Sequence, residues 1–353
     1  MNTEYKNILI IKPSALGDIV HALPVLKVLR SSFPNACITW LIRKEFAPLL
    51  ECVDGLNEVL LFDRKLLGHW YYKPAVFKAL RDFMKKLQHS HYDLVLDLQG
   101  LFRTALFARM TNCDKRIGMT DSREFANLFY THKVRRPADS MHVLDYYYAL
   151  LKKAKIEINP ITGPFFKVPN KAVVSIREKL RQLNITKDYL VLVPSSAHFS
   201  KCWPAERFAK LAEHLNRQFG LDIVVIGTEK DKYILEAIQN HCSIPIIDLT
   251  GKTTIIELVA LFQQAKGVVS NDTGPGHIAV AMHVPTVLIF GHTNPMRVGP
   301  YQRPECIAAI EPNNRPATIK SSNPAYRIEH VPLEMVLEKI IAQLKRTTQT
   351  ITE

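Results

Sequence analysis

Val268-Val-Ser-Asn-Asp-Thr-Gly-Pro-Gly-His277 runs from an apolar strand through a compact polar turn toward an apolar helix at 278–282. A strand that ends in a tight turn and opens a helix aims its unpaired backbone N–H groups, and the positive end of the helix dipole, at one spot. Such a spot suits a phosphate. Asp272 and Thr273 are N-cap residue types, Gly274 and Gly276 let a ligand approach the backbone closely, and Pro275 fits a first helical turn, where no donor is lost. The same residues also make a well-capped helix without any ligand, so the decapeptide alone does not define a site.

A matching arrangement opens the chain: a strand at 7–11, the turn Lys12-Pro-Ser-Ala-Leu-Gly-Asp18, and an apolar helix at 19–30. Two such openings, one near each end of the chain, predict two doubly wound halves. Gly17 stands alone in its turn, so this is not the G-x-G-x-x-G of a dinucleotide site, and hydride transfer loses support. Asp18 falls at the carboxyl end of a strand, where ligands bind in such folds. As a first-turn acid it would also stabilise the helix it precedes.

At 353 residues and 47% hydrophobic, the chain exceeds the size at which one core usually serves, and two domains are expected. The six cysteines are scattered without C-x-x-C spacing, which argues against a structural zinc and a disulfide framework and fits a reducing cytosol. No run of apolar residues reaches membrane-span length. The net charge is +13, concentrated in the first half, where Arg43-Lys44, Arg64-Lys65, Lys115-Arg116 and Arg135-Arg136 are candidates to meet an anionic substrate or membrane face. No helix-turn-helix, zinc-finger or RNP motif accompanies that charge, so nucleic acid is not the expected partner.

Periodicity predicts strands at 7–11, 36–42, 58–62 and 92–98, with helices at 19–30, 75–88, 101–110 and 141–153. The Pro-rich stretch 158–169 reads as a linker, giving domains 1–165 and 170–353. Beyond it the alternation resumes. Helices are expected at 171–183, 205–219, 230–240 and 254–264, and strands at 189–194, 222–226, 244–248 and 286–290. The last amphipathic segment, 333–344, belongs to the second domain by sequence and can fold back onto either domain. Two parallel sheets whose ligand-binding edges face the linker would form an interdomain cleft.

The loop Pro194-Ser-Ser-Ala-His-Phe-Ser-Lys-Cys-Trp-Pro204 carries the remaining chemistry of this kind. The Lys201 ammonium can neutralise charge developing on a departing diphosphate, and the Ser195 and Ser196 hydroxyls can bond the same oxygens. Gly227 and Glu229 follow the 222–226 strand, where an acid suits ribose hydroxyls. His277 can donate to a diphosphate, whereas His292 reads as a structural histidine. No D-x-D motif is present for a metal-bound diphosphate, and neither a metal nor a cofactor is expected.

These motifs resemble glycosyltransferase family 9, the heptosyltransferases of lipopolysaccharide core assembly. The resemblance rests on Lys12–Asp18 with His21-Ala-Leu-Pro24, Asp97-Leu-Gln-Gly-Leu-Phe-Arg103, Lys201-Cys-Trp-Pro204, Ser270–His277 and Phe290-Gly-His-Thr-Asn-Pro295. It implies an α/β GT-B fold of two facing Rossmann-like domains, the first for the acceptor and the second for the nucleotide-sugar donor. It also implies inverting transfer of heptose from ADP-heptose to the Kdo/heptose inner core, without metal. By position, Asp18 matches the general base, Lys201 the lysine at the donor phosphate and Glu229 an acid near the ribose. Asp272, Thr273, Gly274 and His277 match the donor turn. Lys12, Arg64, Arg103 and Arg123 become candidates for the anionic groups of a lipid A–Kdo acceptor, and the protein is expected in the cytoplasm, peripheral to the inner membrane. Ala15, where a serine is common, and Pro275-Gly276 depart from the pattern. Two alternatives stay open: an enzyme of similar fold acting on another sugar nucleotide, such as a UDP-sugar transferase or epimerase, and a non-catalytic binder of anionic glycolipid.

Overall fold

A computed structural model describes residues 4–63, 74–161, 163–185 and 187–352, with backbone alone at 74–76 and 347–352. The chain divides into two compact units, Met1–Phe165 and Phe166–Glu353. In the first, β1 (Asn7–Ile11), α1 (Leu16–Ser32), β2 (Cys37–Arg43), β3 (Glu58–Phe62), α2 (Pro74–His89), β4 (Leu94–Asp97), α3 (Phe102–Met110), β5 (Arg116–Met119), β6 (His132–Val134) and α4 (Val143–Lys153) follow in order. The second carries α5 (Asn170–Gln182), β7 (Tyr189–Val193), α6 (Ala205–Phe219), β8 (Asp222–Val225), α7 (Lys232–Asn240), β9 (Ile246–Asp248) and α8 (Ile255–Gln264). It continues with β10 (Gly267–Asn271), α9 (Gly274–Ala281), β11 (Thr286–Phe290), α10 (Pro295–Val298), β12 (Ile307–Ala309) and α11 (Leu333–Thr352).

Both sheets are parallel and six-stranded, ordered β3-β2-β1-β4-β5-β6 and β12-β11-β10-β7-β8-β9. Counted within its own unit, the second order is the first read backwards, so each unit is doubly wound. Each reverses its winding direction beside its own first strand, between β1 and β4 and between β7 and β10. Central strands such as Tyr-Leu-Val-Leu-Val of β7 and Thr-Val-Leu-Ile-Phe of β11 are buried along their whole length, because helices cover both faces. The edge strand β3 instead leaves Val59 and Leu61 exposed. Polar chemistry is thereby confined to the strand ends.

Several boundaries differ from expectation. Helix α1 begins at Leu16 and α9 at Gly274, so Asp18 and Gly276 lie inside first turns rather than ahead of them. Gly276 does not open the backbone to a ligand: a Cβ there would sit 2.5 Å from both Leu288 Cδ2 and Ser270 Oγ, so the glycine lets α9 press onto the sheet. The 230–240 segment splits into a 3₁₀ turn, Glu229–Asp231, and α7. Helix α11 packs on its own unit, with Val336, Ile340 and Leu344 in one core with Val269, Val287 and Ile289 of β10 and β11.

Helix α8 is fastened by Glu257. Its Oε2 accepts from Thr254 N at 2.8 Å, and its Oε1 accepts from Lys179 Nζ at 2.8 Å and Ser175 Oγ at 2.6 Å, tying α8 to α5. Burial would push this carboxyl up, but the Lys179 and Ser175 bonds outweigh it and hold the pKa down at about 2, from 4.5. The carboxylate therefore contributes fully above pH 4.5, and its contribution fades as pH falls toward about 2. Glu257→Gln is expected to cost roughly 2–3 kcal/mol at pH 7. Urea unfolding across pH should show that gap narrowing between pH 4.5 and about 2; a gap independent of pH would contradict the assignment. Gly276→Ala is expected to cost about 1–3 kcal/mol through overpacking, read as a lowered urea midpoint.

Candidate functional site

In the first unit, the switch point between β1 and β4 gathers an ion pair. Lys12, immediately after β1, is buried and spans the crevice to donate from Nζ to Leu98 O, just after β4, at 3.1 Å. Its ammonium lies 4.0 Å from Asp18 Oδ2 and 5.7 Å from the Tyr147 ring centroid. Burial works to lower the Lys12 pKa, but Tyr147, Asp18 and Asp97 overcome it, and the group stays above its ordinary value. Asp18 is 43% exposed in its side chain. Its Oδ2 accepts from Ala15 N at 3.1 Å, closing the first turn of α1, while Oδ1 receives no hydrogen bond among the described residues. Asp18 therefore closes the first turn of α1 with one oxygen while its side chain stays partly exposed.

Beneath this pair lies Asp97, fully buried at the end of β4. It accepts from Tyr130 Oη at 2.8 Å, Gln99 N at 2.9 Å and Gly100 N at 3.1 Å. Burial pushes its carboxyl above the usual range. The turn it holds, with Gly100 at φ +67°, receives Arg123 N on Gly100 O at 2.9 Å, and Phe102 N donates to Glu124 Oε2 at 3.2 Å. Arg103 and Arg123 are thus carried by adjoining segments, both exposed, Arg103 resting 5.7 Å from the Phe62 ring centroid. Arg64 lies outside the described residues. The Lys115-Arg116 pair is structural: Lys115 bonds Tyr5 Oη, and Arg116 donates to the carbonyls of Phe129 and Cys113.

The second unit repeats the plan around a buried carboxylate. Asp272 follows β10 and accepts from Lys201 Nζ at 2.5 Å on Oδ2, while His277 Nε2, on the first turns of α9, lies 3.3 Å from Oδ1. Burial alone would push the Asp272 carboxyl up; the His277 bond and the Lys201 ammonium overcome it and hold it well below the ordinary range. Thr273 is the N-cap of α9 and Gly274 its first residue, so the free N–H groups of that turn open beside Lys201. Thr273 makes no side-chain cap; its Oγ1 pairs with Ser270 Oγ at 3.1 Å. Along the same edge Ser195 is buried and Ser196 half-buried. Gly227 leaves room beside Ser195 Oγ and Asp231, its would-be Cβ falling 3.3 Å from the hydroxyl. Glu229 is exposed and paired with Lys232, and its backbone crowds Gly251, whose φ of +71° a side chain would strain.

Sequence reasoning missed residues that hold this edge together. Asn271 donates from Nδ2 to Pro194 O at 2.6 Å and accepts from Trp203 N at 3.1 Å, linking the ends of β10 and β7 to the Lys201 loop. Tyr130 and Tyr147 reach the first site from distant elements, with no local signal. His292 does not behave as a satisfied structural histidine: its Nδ1 is buried with no hydrogen-bond partner among the described residues. Among those residues no group of three or more His, Cys, Asp or Glu side chains gathers as a metal site, and no helix is long and apolar enough to cross a membrane.

Two doubly wound parallel sheets in one chain, each with charged groups at its switch point, are the architecture of the GT-B class. The chain belongs to glycosyltransferase family 9 (heptosyltransferase), whose model matches residues 80–326. It is 24% identical to the lipopolysaccharide core heptosyltransferase OpsX of Haemophilus influenzae, covering 97% of this chain and 96% of that one. With lipopolysaccharide heptosyltransferase 1 of Escherichia coli K12 it shares 25% identity over 87% and 94% of the two chains. Among solved structures it is similar to a family 9 glycosyl transferase from Veillonella parvula, with TM-score 0.82, 23% identity and 98% and 99% coverage. It is also similar to E. coli heptosyltransferase WaaC with ADP, with TM-score 0.72, 21% identity and 96% and 99% coverage.

If Asp272 holds Lys201 by charge, removing the carboxylate strands a largely buried ammonium. Asp272→Ala is expected to cost about 2–4 kcal/mol, and Lys201→Met in the same chain to recover part of it. A double-mutant cycle in urea should give a coupling of at least about 1 kcal/mol; additive losses would show that the pair does not interact.

Proposed function

We propose that this chain transfers heptose from ADP-heptose to the Kdo/heptose inner core of lipopolysaccharide, by one inverting displacement and without a metal. The observation that carries the reading is the complementary pair of switch points, a carboxylate open to solvent in one unit and a carboxylate-anchored lysine beside a helix start in the other. The relatives' names support the reaction class. The donor is supported by similarity to E. coli WaaC solved with ADP and with ADP-2-deoxy-2-fluoro heptose. The acceptor is a lipid A–Kdo type glycolipid, met from the cytoplasmic face of the inner membrane.

In this mechanism Asp18 takes the proton of the acceptor hydroxyl. The hydroxyl oxygen bonds the anomeric carbon as the bond from that carbon to the ADP oxygen breaks, which inverts the centre. The negative charge that ADP carries away meets Lys201 and the free N–H groups at Thr273 and Gly274. Lys201 has three donors, so a phosphate oxygen can be bonded while Asp272 keeps the ammonium aimed. Glu229 takes the ribose hydroxyls, with Ser195, Ser196, Gly227 and His277 around the diphosphate. Arg103 and Arg123, and Arg64 from sequence, take the acceptor's anionic groups.

Incubation with ADP-heptose and a lipid A acceptor bearing Kdo is expected to release ADP. Asp18→Asn should lower turnover by roughly 10²–10⁴-fold while leaving ADP affinity nearly unchanged. Normal turnover in that variant would reduce Asp18 to a helix cap. Lys201→Ala should weaken ADP binding as well as turnover, and unchanged binding in calorimetry would remove it from the donor site. ADP, and not UDP, should raise the melting temperature.

A further inference from the structure

On the β11 flank of the second unit, a pocket of about 380 Å³ is lined by Ser200, His292, Lys320, Ser321, Ser322 and Arg327, with Pro324. Its lining holds two cations, an imidazole and three hydroxyls, and no carboxylate. Arg327 has a neighbour in Glu329 at 3.5 Å, both about half exposed, and Lys320 is exposed without an ion pair among the described residues. His292 stands in the pocket wall, its Nδ1 buried and without a hydrogen-bond partner among the described residues.

The pocket is built rather than incidental. The segment carrying Lys320 to Arg327 crosses the end of β11 and is pinned there. Arg315, 5% exposed, donates to the carbonyls of Gly291, Thr293 and Ile310, and stacks 4.4 Å from the Tyr326 ring centroid. Thr293 pairs with Lys320 in an isolated antiparallel bridge, and Ser321 N donates to His292 O at 3.0 Å. Gly291 admits the crossing: a Cβ there would fall 2.9 Å from Ile328 Cβ. A guanidinium is buried to hold the segment, and the segment sets hydroxyls and cations over His292.

We propose that this pocket is an anion subsite that takes a phosphomonoester-type group, with Lys320 and Arg327 supplying charge and the serine hydroxyls supplying hydrogen bonds. Sheet order says which part of a substrate it meets. Gly227 and Glu229 lie on the β8 side of the Lys201 loop, and the pocket lies on the β11 side, sharing Ser200 with that loop. If Glu229 takes the ribose and Lys201 the diphosphate, as proposed above, the pocket's anion is a further group. Naming the acceptor as its carrier rests on the transferase reading; the anion site does not.

The full chain is titrated by calorimetry with ADP, then with inorganic phosphate while ADP occupies the α9 start. Phosphate is expected to bind, and Lys320→Ala/Arg327→Ala to weaken it at least about tenfold with ADP affinity unchanged. Both side chains are exposed, so the variant should keep the wild-type melting temperature. The ring ¹⁵N resonances of His292, in the pocket wall, should move on phosphate addition in the wild type and stay still in the double variant. Absence of phosphate binding, equal binding by the double variant, or unmoved His292 ring resonances would overturn the subsite. Failure of ADP to bind would instead count against the donor reading, and is read before phosphate is added. Turnover with intact and phosphatase-treated acceptor identifies the source. A KM penalty for the treated acceptor that disappears in the double variant means the acceptor carries the anion, and no such penalty means free phosphate fills the site; the subsite stands in both cases.

Discussion

A carboxylate with almost no access to water has to be neutralised where it stands, and at the end of β10 this requirement arranges its neighbours. Asp272 is 9% exposed, so Lys201 must come to it from the loop after β7, and His277 must turn back to it from α9. Asn271, the preceding residue, draws the Pro194 carbonyl and the Trp203 amide to the same place. The result is a lysine held by its carboxylate beside the start of α9.

The first unit solves the converse problem with the same topology. There the lysine is buried and the carboxylate is the more exposed partner: Lys12 has 5% of its side chain accessible and Asp18 43%, against 20% for Lys201 and 7% for Asp272. In each pair the buried member sets the charge and the accessible member meets solvent. One sheet edge presents a partly exposed carboxylate and the other a partly exposed ammonium, although the two units share a strand order.

The continuous apolar runs at 8–11 of β1, 189–193 of β7 and 287–290 of β11 are legible because strands covered on both faces bury one apolar side chain after another. The strands β5, β6 and β12 are three or four residues long, and β6 includes a histidine and a lysine, so neither length nor periodicity marks them. Lys201, Asp272 and His277 are readable from motifs, but their mutual contact is not, since 71 positions separate the first two. Gly276 illustrates a different failure. Its lack of a side chain has the expected importance for the wrong reason, because what approaches it is the sheet beneath. Arg315 carries no signal in sequence, since a surface guanidinium and one committed to three carbonyls look alike until the chain is folded.

The fastening of 315–328 by a side chain, rather than by a ladder of paired strands, separates two kinds of sequence change. The only backbone bridge from this segment among the described residues joins Thr293 and Lys320, while β11 keeps its own pairing with β10 and β12. Substitutions or length changes between the bridge and Tyr326 can remodel the rim without propagating into the sheet, provided that Arg315 and its three carbonyls persist. Descendants of one scaffold can in this way diverge in what they recognise while inheriting the same chemistry at the strand ends.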